Sequence, residues 1–172
     1  MKGNKMSVYH IVINPAGASG RTNECWDIIK KELDTIGVNY EVHLSTLEHG
    51  IKEIMQELTS TDERVNIILI GGDGSMNLAV NGIVNFEKTY LGLIPCGSGN
   101  DLAKSLGIHG TEIECLHRIL KDQHGKDLDV GVLTYHTRYD EKGNKVSDEP
   151  YSRRYNISTG IGYDAAISEQ VQ

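Results

Sequence analysis

Residues 67–78 constrain the fold more than any other stretch of this chain. The apolar run Ile67-Ile68-Leu69-Ile70 stops abruptly at Gly71-Gly72-Asp73-Gly74-Ser75, and a helical pattern follows. A short continuous apolar run is typical of a strand buried on both faces of a parallel sheet. The glycines let the backbone approach a ligand closely, and Ser75 is predicted to cap the next helix. Because backbone N–H groups and a helix N-terminus attract anions, this unit predicts a phosphate site.

Asp73 is the acidic residue of this loop. A carboxylate beside a bound phosphate is unfavourable unless a cation joins the two groups, and Mg²⁺ commonly does so. The sequence therefore predicts a nucleotide phosphate site with Asp73 at its lip, in contact with Mg²⁺.

Strand and helix patterns alternate along the first 125 residues. Apolar runs predict four strands, at residues 9–13, 40–44, 65–70 and 90–94. Apolar residues at helical spacing predict helices at 22–36, 47–58, 76–84, 100–105 and 111–120. Thr22 is predicted to cap the first of these helices. Such alternation is typical of an α/β domain with a parallel sheet and helices on both faces.

The pattern changes after residue 125. Residues 127–139 favour β-forming side chains, a polar turn follows, and residues 153–158 resume a strand. This predicts an antiparallel hairpin, so we expect an α/β domain at 1–125 and the beginning of a β-rich domain at 126–172. A piece of this length buries too little apolar surface to fold alone. We therefore expect the second domain to be truncated, or to be completed by a partner.

A second glycine loop, Pro95-Cys96-Gly97-Ser98-Gly99-Asn100-Asp101, also lies between a strand and a helix. Ser98 and Asn100 offer hydrogen bonds to phosphate or sugar oxygens, and Asp101 can hold the water shell of a metal ion. The carboxyl ends of neighbouring parallel strands meet at one edge of the sheet, where α/β proteins bind ligands. We therefore expect the two glycine loops to form one site.

A third glycine-rich turn, residues 14–21, follows the first predicted strand and ends in Arg21. An arginine at this position favours phosphate binding. Two common nucleotide motifs are missing from the sequence. It has no Gly-Lys-Ser/Thr, and Gly97-x-Gly99 is followed by Leu102 where a dinucleotide fingerprint needs glycine, which argues against a dehydrogenase.

Charge and cysteine usage limit the partners and the compartment. The chain has 17 basic and 24 acidic residues, a net charge of −7 and no basic patch, so nucleic acid is not an expected partner. Neither a signal peptide nor an apolar stretch long enough to span a bilayer is visible. The three cysteines are odd in number and far apart, which favours a reducing compartment. These features predict a cytoplasmic protein.

Three motifs in order resemble the diacylglycerol kinase catalytic domain, whose superfamily includes bacterial lipid kinases, sphingosine kinases and ceramide kinases. They are Asn14-Pro-x-x-x-x-Gly20-Arg21, Gly71-Gly72-Asp73-Gly74-Ser75 and Pro95-x-Gly97-Ser98-Gly99-Asn100-Asp101-Leu102-Ala103-Lys104. The resemblance covers residues 8 to about 165, because two later segments are similar to the family's interdomain segments: Asp129-Val130-Gly131 and Asn156-x-x-x-Gly160-x-Gly162-Tyr163-Asp164-Ala165. Serine replaces the family's usual threonine at Ser75 and Ser98, and both replacements keep the hydroxyl.

The resemblance implies an ATP site in a first domain shaped like half of a phosphofructokinase, and a β-sandwich second domain that holds the lipid. Asp73 would be the central catalytic acid, and Asp73, Asp101 and Asp129 would join a Mg²⁺ network, partly through water. The residues that would bind the nucleotide are Asn14, Arg21, Thr46, Gly71, Gly72, Gly74, Ser75, Gly97, Ser98 and Asn100. In bacterial relatives the proposed base is a glutamate late in the second domain, beyond the last residue of this sequence.

Together these features predict an ATP-dependent lipid kinase that acts on a lipid at the inner face of the membrane, without a transmembrane segment. The 172-residue chain alone is expected to be inactive. A homodimer is compatible with this interpretation. Two alternatives stay open: a small-molecule kinase of the NAD kinase or phosphofructokinase type, against which the second glycine loop argues, and a non-catalytic nucleotide-binding module that regulates a partner.

Overall fold

The structure, a computed structural model, describes residues 8–122, 125–140 and 142–158. The chain divides into two compact units, Met1–Leu128 and Asp129–Gln172. The domain boundary predicted after residue 125 lies just before this division. The family resemblance noted for residues 160–165 lies outside the described residues.

Four parallel strands form the sheet of the first unit, in the spatial order β2-β1-β3-β4. Their bounds are Tyr9–Ile13 (β1), Tyr40–Leu44 (β2), Val65–Gly71 (β3) and Thr89–Pro95 (β4). The register places Gly71, the last residue of β3, opposite Pro95, the last residue of β4. The two glycine loops therefore leave the sheet side by side at its carboxyl edge. The predicted α/β class with a parallel sheet is confirmed.

Five α-helices connect or follow the strands. Their bounds are Arg21–Ile36 (α1), Ile51–Thr59 (α2), Asp73–Gly82 (α3), Asp101–Ser105 (α4) and Glu112–Lys121 (α5). Short 3-10 turns occupy Gly17–Gly20 and Phe86–Lys88. Helices α1 and α5 pack together on one face of the sheet, and α2 and α3 pack together on the other.

Buried apolar side chains hold α1 and α5 against the sheet. This cluster consists of Ile11, Ile13, Cys25, Ile29, Leu33, Ile68, Ile70, Ile94, Cys96, Cys115 and Leu116. Successive strand residues point to opposite faces, so the buried Val12, Ile67 and Leu69 lie on the α2 and α3 side. Each fully buried Leu or Ile contributes about 1.5–3 kcal/mol to folding. The strand ends that carry the glycine loops are therefore firmly anchored.

The predicted cap of α1 is wrong. The helix begins at Arg21 behind Gly20, whose φ of 95° lies in the left-handed region, and no side chain caps it. Thr22 lies inside the first turn and is buried, and its hydroxyl donates a hydrogen bond to the carbonyl of Gly17 at 3.2 Å. Thr22 therefore stabilises the preceding turn through this hydrogen bond.

The predicted cap of α3 is also wrong. The helix begins at Asp73 after Gly72, so Ser75 lies within the first turn rather than before it. The Ser75 side chain packs against the end of β3, where a Cβ added to Gly71 would come within 2.8 Å of Ser75 Oγ. Glycine at position 71 makes room for this buried serine.

Helix α2 begins at Ile51, later than the predicted start at Leu47. The carboxylate of Glu53 accepts a hydrogen bond from the backbone N–H of Gly50 at 3.1 Å, which fixes the helix start. Leu47 is fully exposed, with a relative accessibility of 107%. Leu47 fits the apolar spacing of the helix but lies before it, so the predicted helix started too early.

The second unit contains two antiparallel ladders. Its strands are Gly131–Tyr135 (β5), Arg138–Tyr139 (β6), Lys145–Ser147 (β7) and Tyr151–Tyr155 (β8). β5 pairs with β8 and β6 pairs with β7, as in an interrupted hairpin. At its turn, the pKa of Asp140 lies below its ordinary value because the side chain and backbone N–H of Asn144 donate hydrogen bonds to it.

Candidate functional site

The two glycine loops touch backbone to backbone. The N–H of Cys96 donates a hydrogen bond to the carbonyl of Gly71 at 3.0 Å, which continues the β3–β4 pairing beyond the strands. A Cβ added to Gly72 would lie 2.8 Å from Cα of Gly97, and one added to Gly97 would lie 2.6 Å from Cα of Gly72. Real Cβ atoms do not approach other atoms so closely, so each loop requires a glycine at this crossing.

Asp73 ties the first loop to the second. One of its carboxylate oxygens accepts a hydrogen bond from the backbone N–H of Asp101 at 3.0 Å, and the other accepts one from the N–H of Leu102 at 3.1 Å. Hydrogen bonds to a charged acceptor are stronger than neutral ones. The Asp73 carboxylate is therefore held in a fixed position at the start of α4.

Asp73 and Asp101 flank Gly99. A Cβ added to Gly99 would lie 2.9 Å from Oδ2 of Asp73 and 3.6 Å from Oδ2 of Asp101. Mg²⁺ binds through one or two carboxylates and keeps several waters and phosphate oxygens. Each Asp73 oxygen keeps a further lone pair after its N–H bond, and Asp101 is exposed, so this pair of carboxylates fits a hydrated Mg²⁺.

Asn100 shapes the second loop. It is the non-glycine residue with a positive φ, 53°, among the described residues. Its side-chain oxygen accepts a hydrogen bond from the N–H of Gly97 at 2.9 Å, and its amide nitrogen donates one to the Gly97 carbonyl at 2.8 Å. Asparagine tolerates the left-handed region better than most residues. The predicted nucleotide contact of Asn100 stays a prediction, and its observed bonds hold the loop.

Hydrogen bonds to Asn14 hold the glycine-rich turn after β1, as those of Asn100 hold the second loop. The side-chain oxygen of Asn14 accepts a hydrogen bond from the N–H of Ala16 at 3.1 Å, and its carbonyl accepts one from Gly17 at 3.0 Å. This fold of the turn places Arg21, which is exposed, at the first position of α1. The guanidinium is therefore available to a ligand at the carboxyl edge of the sheet.

A surface cleft of about 240 Å³ lies beside the second loop. Arg21 and Lys104 both line it, so two cationic side chains face the same space. Its wall also includes Pro95, Asn100, Ala103 and Glu112. From the sequence, Lys104 was assigned no role beyond its place in the second motif, although a lysine one turn after Asp101 is a signal for a second phosphate contact. The Lys104 ammonium lies 3.3 Å from a carboxylate oxygen of Asp101.

The remaining predicted site residues have different surroundings. Gly74 and Ser98 are exposed, and a Cβ on Gly74 would meet no atom within 4 Å. Thr46 forms a turn with His49, whose N–H donates to the Thr46 hydroxyl at 3.0 Å. Asp129 begins the second unit. The roles of these four residues stay predictions.

A disulfide joins Cys25 of α1 to Cys96 of the second loop, across a sequence separation of 71, while Cys115 is free and buried. The cysteine spacing favoured a reducing compartment and did not reveal this pair. The two residues meet because both belong to the buried cluster on one face of the sheet, which only the folded structure assembles. The bond connects the helix that carries Arg21 to the loop that carries Asn100.

Known proteins are similar to this chain in sequence and in fold. The family model of the diacylglycerol kinase catalytic domain matches residues 8–133. YtlR of Bacillus subtilis (strain 168) is 28% identical over 169 residues, which are 96% of this chain and 51% of YtlR. The diacylglycerol kinase of the same strain is 32% identical over 131 residues, 72% of this chain and 41% of that protein. A crystal structure of a diacylglycerol kinase from Bacillus anthracis str. Sterne has a TM-score of 0.60 and 26% identity, covering 75% of this chain and 44% of that one.

The parallel sheet, with glycine loops and carboxylates at its carboxyl edge, defines an α/β ligand-binding domain. The chain belongs to the diacylglycerol kinase catalytic domain family. It spans about half the length of YtlR and of the Bacillus anthracis structure. Within the described residues, no helix has the length and apolar character needed to cross a membrane.

Proposed function

We propose that this chain supplies the ATP-binding part of a lipid kinase that transfers the γ-phosphoryl group of ATP to a lipid hydroxyl, such as that of diacylglycerol. The observation that carries the proposal is the position of Asp73, whose carboxylate is fixed between two glycine loops by the N–H groups of Asp101 and Leu102. Membership of the family supports the kinase class.

The nucleotide phosphates would lie along the carboxyl edge of the sheet. Arg21 and Lys104 line one cleft there, and their charges complement those of a polyphosphate. Gly72 and Gly97 keep the loops free of side chains at their crossing, so backbone groups can approach the ligand. The nucleotide contacts predicted for Asn14, Thr46, Ser75 and Ser98 belong to this proposal.

Asp73 and Asp101 would hold Mg²⁺, directly or through water, and Asp129 is proposed as a third member of the network. When bound, the ion would neutralise charge on the β- and γ-phosphates. Phosphoryl transfer requires little covalent chemistry from the protein, so positioning and electrostatics dominate. Asp73 would orient the reacting groups because its own position is fixed by two hydrogen bonds.

The lipid acceptor would approach from a membrane surface, so we propose a cytoplasmic protein that associates with the inner face of the membrane. The second unit would form the beginning of the lipid-binding domain. A homodimer is part of the proposal.

The test combines binding with transfer. Calorimetry of the purified chain with Mg-ATP should show one site, and labelled phosphate from ATP should reach diacylglycerol when a complete lipid-binding domain is present. NAD and fructose 6-phosphate serve as competing acceptors, and phosphate transfer to either would support the small-molecule kinase alternative. Nucleotide binding without transfer to any acceptor would support the regulatory module.

A further inference from the structure

Two histidines and a glutamate gather on adjacent strands of the first unit. His10 lies in β1 opposite Glu41 of β2, and His43 lies two residues further along β2. Strand residues two apart point to the same face, so all three side chains lie on one side of the sheet. Within the described part of the chain, they form the one group of three or more histidine, cysteine or acidic side chains close enough to share a metal ion.

The spacing of their ligand atoms matches a coordination sphere. His10 Nδ1 lies 3.1 Å from His43 Nε2 and 3.5 Å from Glu41 Oε2. All three ligand atoms lie within 4.8 Å of one another. Tetrahedral Zn²⁺ with bonds of about 2.0–2.1 Å places neighbouring ligands about 3.3–3.5 Å apart. One ion could therefore reach all three atoms with small side-chain rotations.

The donor set selects the kind of metal. Imidazole nitrogen suits Zn²⁺ and its first-row neighbours, whereas Mg²⁺ prefers oxygen ligands. The Glu41 side chain is 63% exposed and that of His10 is 21% exposed, so an ion can enter from solvent. Water would complete a fourth position. None of the three residues belongs to the glycine loops or to the proposed Mg²⁺ network.

We propose that His10, Glu41 and His43 form a binding site for a divalent transition metal of the Zn²⁺ type, separate from the nucleotide site. The ion would link the edge strand β2 to β1. The other explanation of the same contacts is a His10–His43 hydrogen bond beside a surface ion pair with Glu41.

Zinc titration of the metal-free chain tests the proposal, after any affinity tag is removed. We expect one Zn²⁺ per chain and a higher thermal midpoint with Zn²⁺, and an excess of Mg²⁺ should not displace the bound Zn²⁺. Co²⁺ in place of Zn²⁺ should give the visible absorption of a tetrahedral site. Absence of zinc binding by the folded chain would overturn the proposal.

Single substitutions show which side chains bind the Zn²⁺ ion. Glu41→Gln changes an exposed side chain, so it keeps the fold and should weaken Zn²⁺ binding at least tenfold. His43→Ala should abolish it. The matched control is His117→Ala, because His117 lies on α5 and pairs with Glu32 at 2.7 Å, outside the cluster. The control should bind Zn²⁺ like the wild type, and unchanged binding by folded Glu41→Gln and His43→Ala would overturn the proposal.

Discussion

Asp73 accepts a hydrogen bond from the backbone N–H of Leu102 at 3.1 Å, across a sequence separation of 29 residues. This bond couples the loop after β3 to the helix after β4. The carboxylate therefore has two tasks in the proposed site: it fixes the relative position of the loops, and it presents negative charge to a metal ion. A substitution at this position tests both tasks.

Asp73→Asn should abolish kinase activity in a chain that includes the complete lipid-binding domain. The amide removes a charge from the proposed Mg²⁺ network, and electrostatic contributions of this kind are typically several kcal/mol. Initial rates with diacylglycerol and Mg-ATP measure the effect, and circular dichroism checks the fold. Turnover near that of the wild type would refute the catalytic role.

The same variant should remain folded, with a loss of stability of about 1–3 kcal/mol. An asparagine keeps one acceptor oxygen for the two N–H groups of Asp101 and Leu102, so one hydrogen bond is lost. Urea denaturation of wild type and variant gives the difference directly. No change in stability would mean that the loops are coupled by other contacts.

Arg21→Ala should weaken ATP binding by about 1–3 kcal/mol, the usual contribution of a hydrogen bond to a charged group. Lys30→Ala is a matched control, because Lys30 is an exposed cation on the same helix and does not line the cleft. Calorimetric titration compares the two variants. Equal affinities for ATP would place the phosphates elsewhere.

Gly72→Val should destabilise the domain and abolish nucleotide binding. The φ of Gly72 is −105°, which any residue can adopt, so the penalty comes from collision with Gly97 and not from the backbone. Gly74→Ala is the stability control, since its Cβ would meet no atom within 4 Å. Alanine in a helix is about 1 kcal/mol better than glycine. Urea midpoints should therefore fall for the first variant and stay or rise for the second.

Reduction of the Cys25–Cys96 disulfide should lower the stability of the first unit. A bond that closes a loop of this kind typically contributes about 2–4 kcal/mol. Thermal unfolding with and without reductant measures the change in the wild type, and Cys25→Ser should show no response to reductant. If the wild type also fails to respond, the two thiols are unpaired in solution.

Local sequence patterns predicted the bounds of strands and the end of a helix well, because a single local property decides the structure there. The bounds of Tyr9–Ile13 and Tyr40–Leu44 match the predicted strands, and α1 ends at Ile36 as predicted, before Gly37 with its φ of 71°. Helix starts were less predictable. Leu47 fitted the apolar period of α2, yet the hydrogen bond between Gly50 and Glu53 sets where that helix begins.

The candidate site likewise has features that the sequence predicted and features that it did not. The sequence identified Asp73 and both glycine loops, because glycine beside an acidic residue at a strand end has a direct chemical interpretation. It could not show that Gly72 faces Gly97, since that contact depends on the β3–β4 register. Asn100 was assigned to the nucleotide, whereas its observed hydrogen bonds go to Gly97.

The sequence by itself determined the α/β class, the order of the strands along the chain and the motifs of the diacylglycerol kinase family. These follow from hydrophobic periodicity and glycine placement, which act over a few residues. Only the tertiary structure decided the pairing of Cys25 with Cys96, the bonds of Asp73 to α4 and the gathering of His10 with His43. Those contacts join residues far apart in sequence, and strand order and register bring them together.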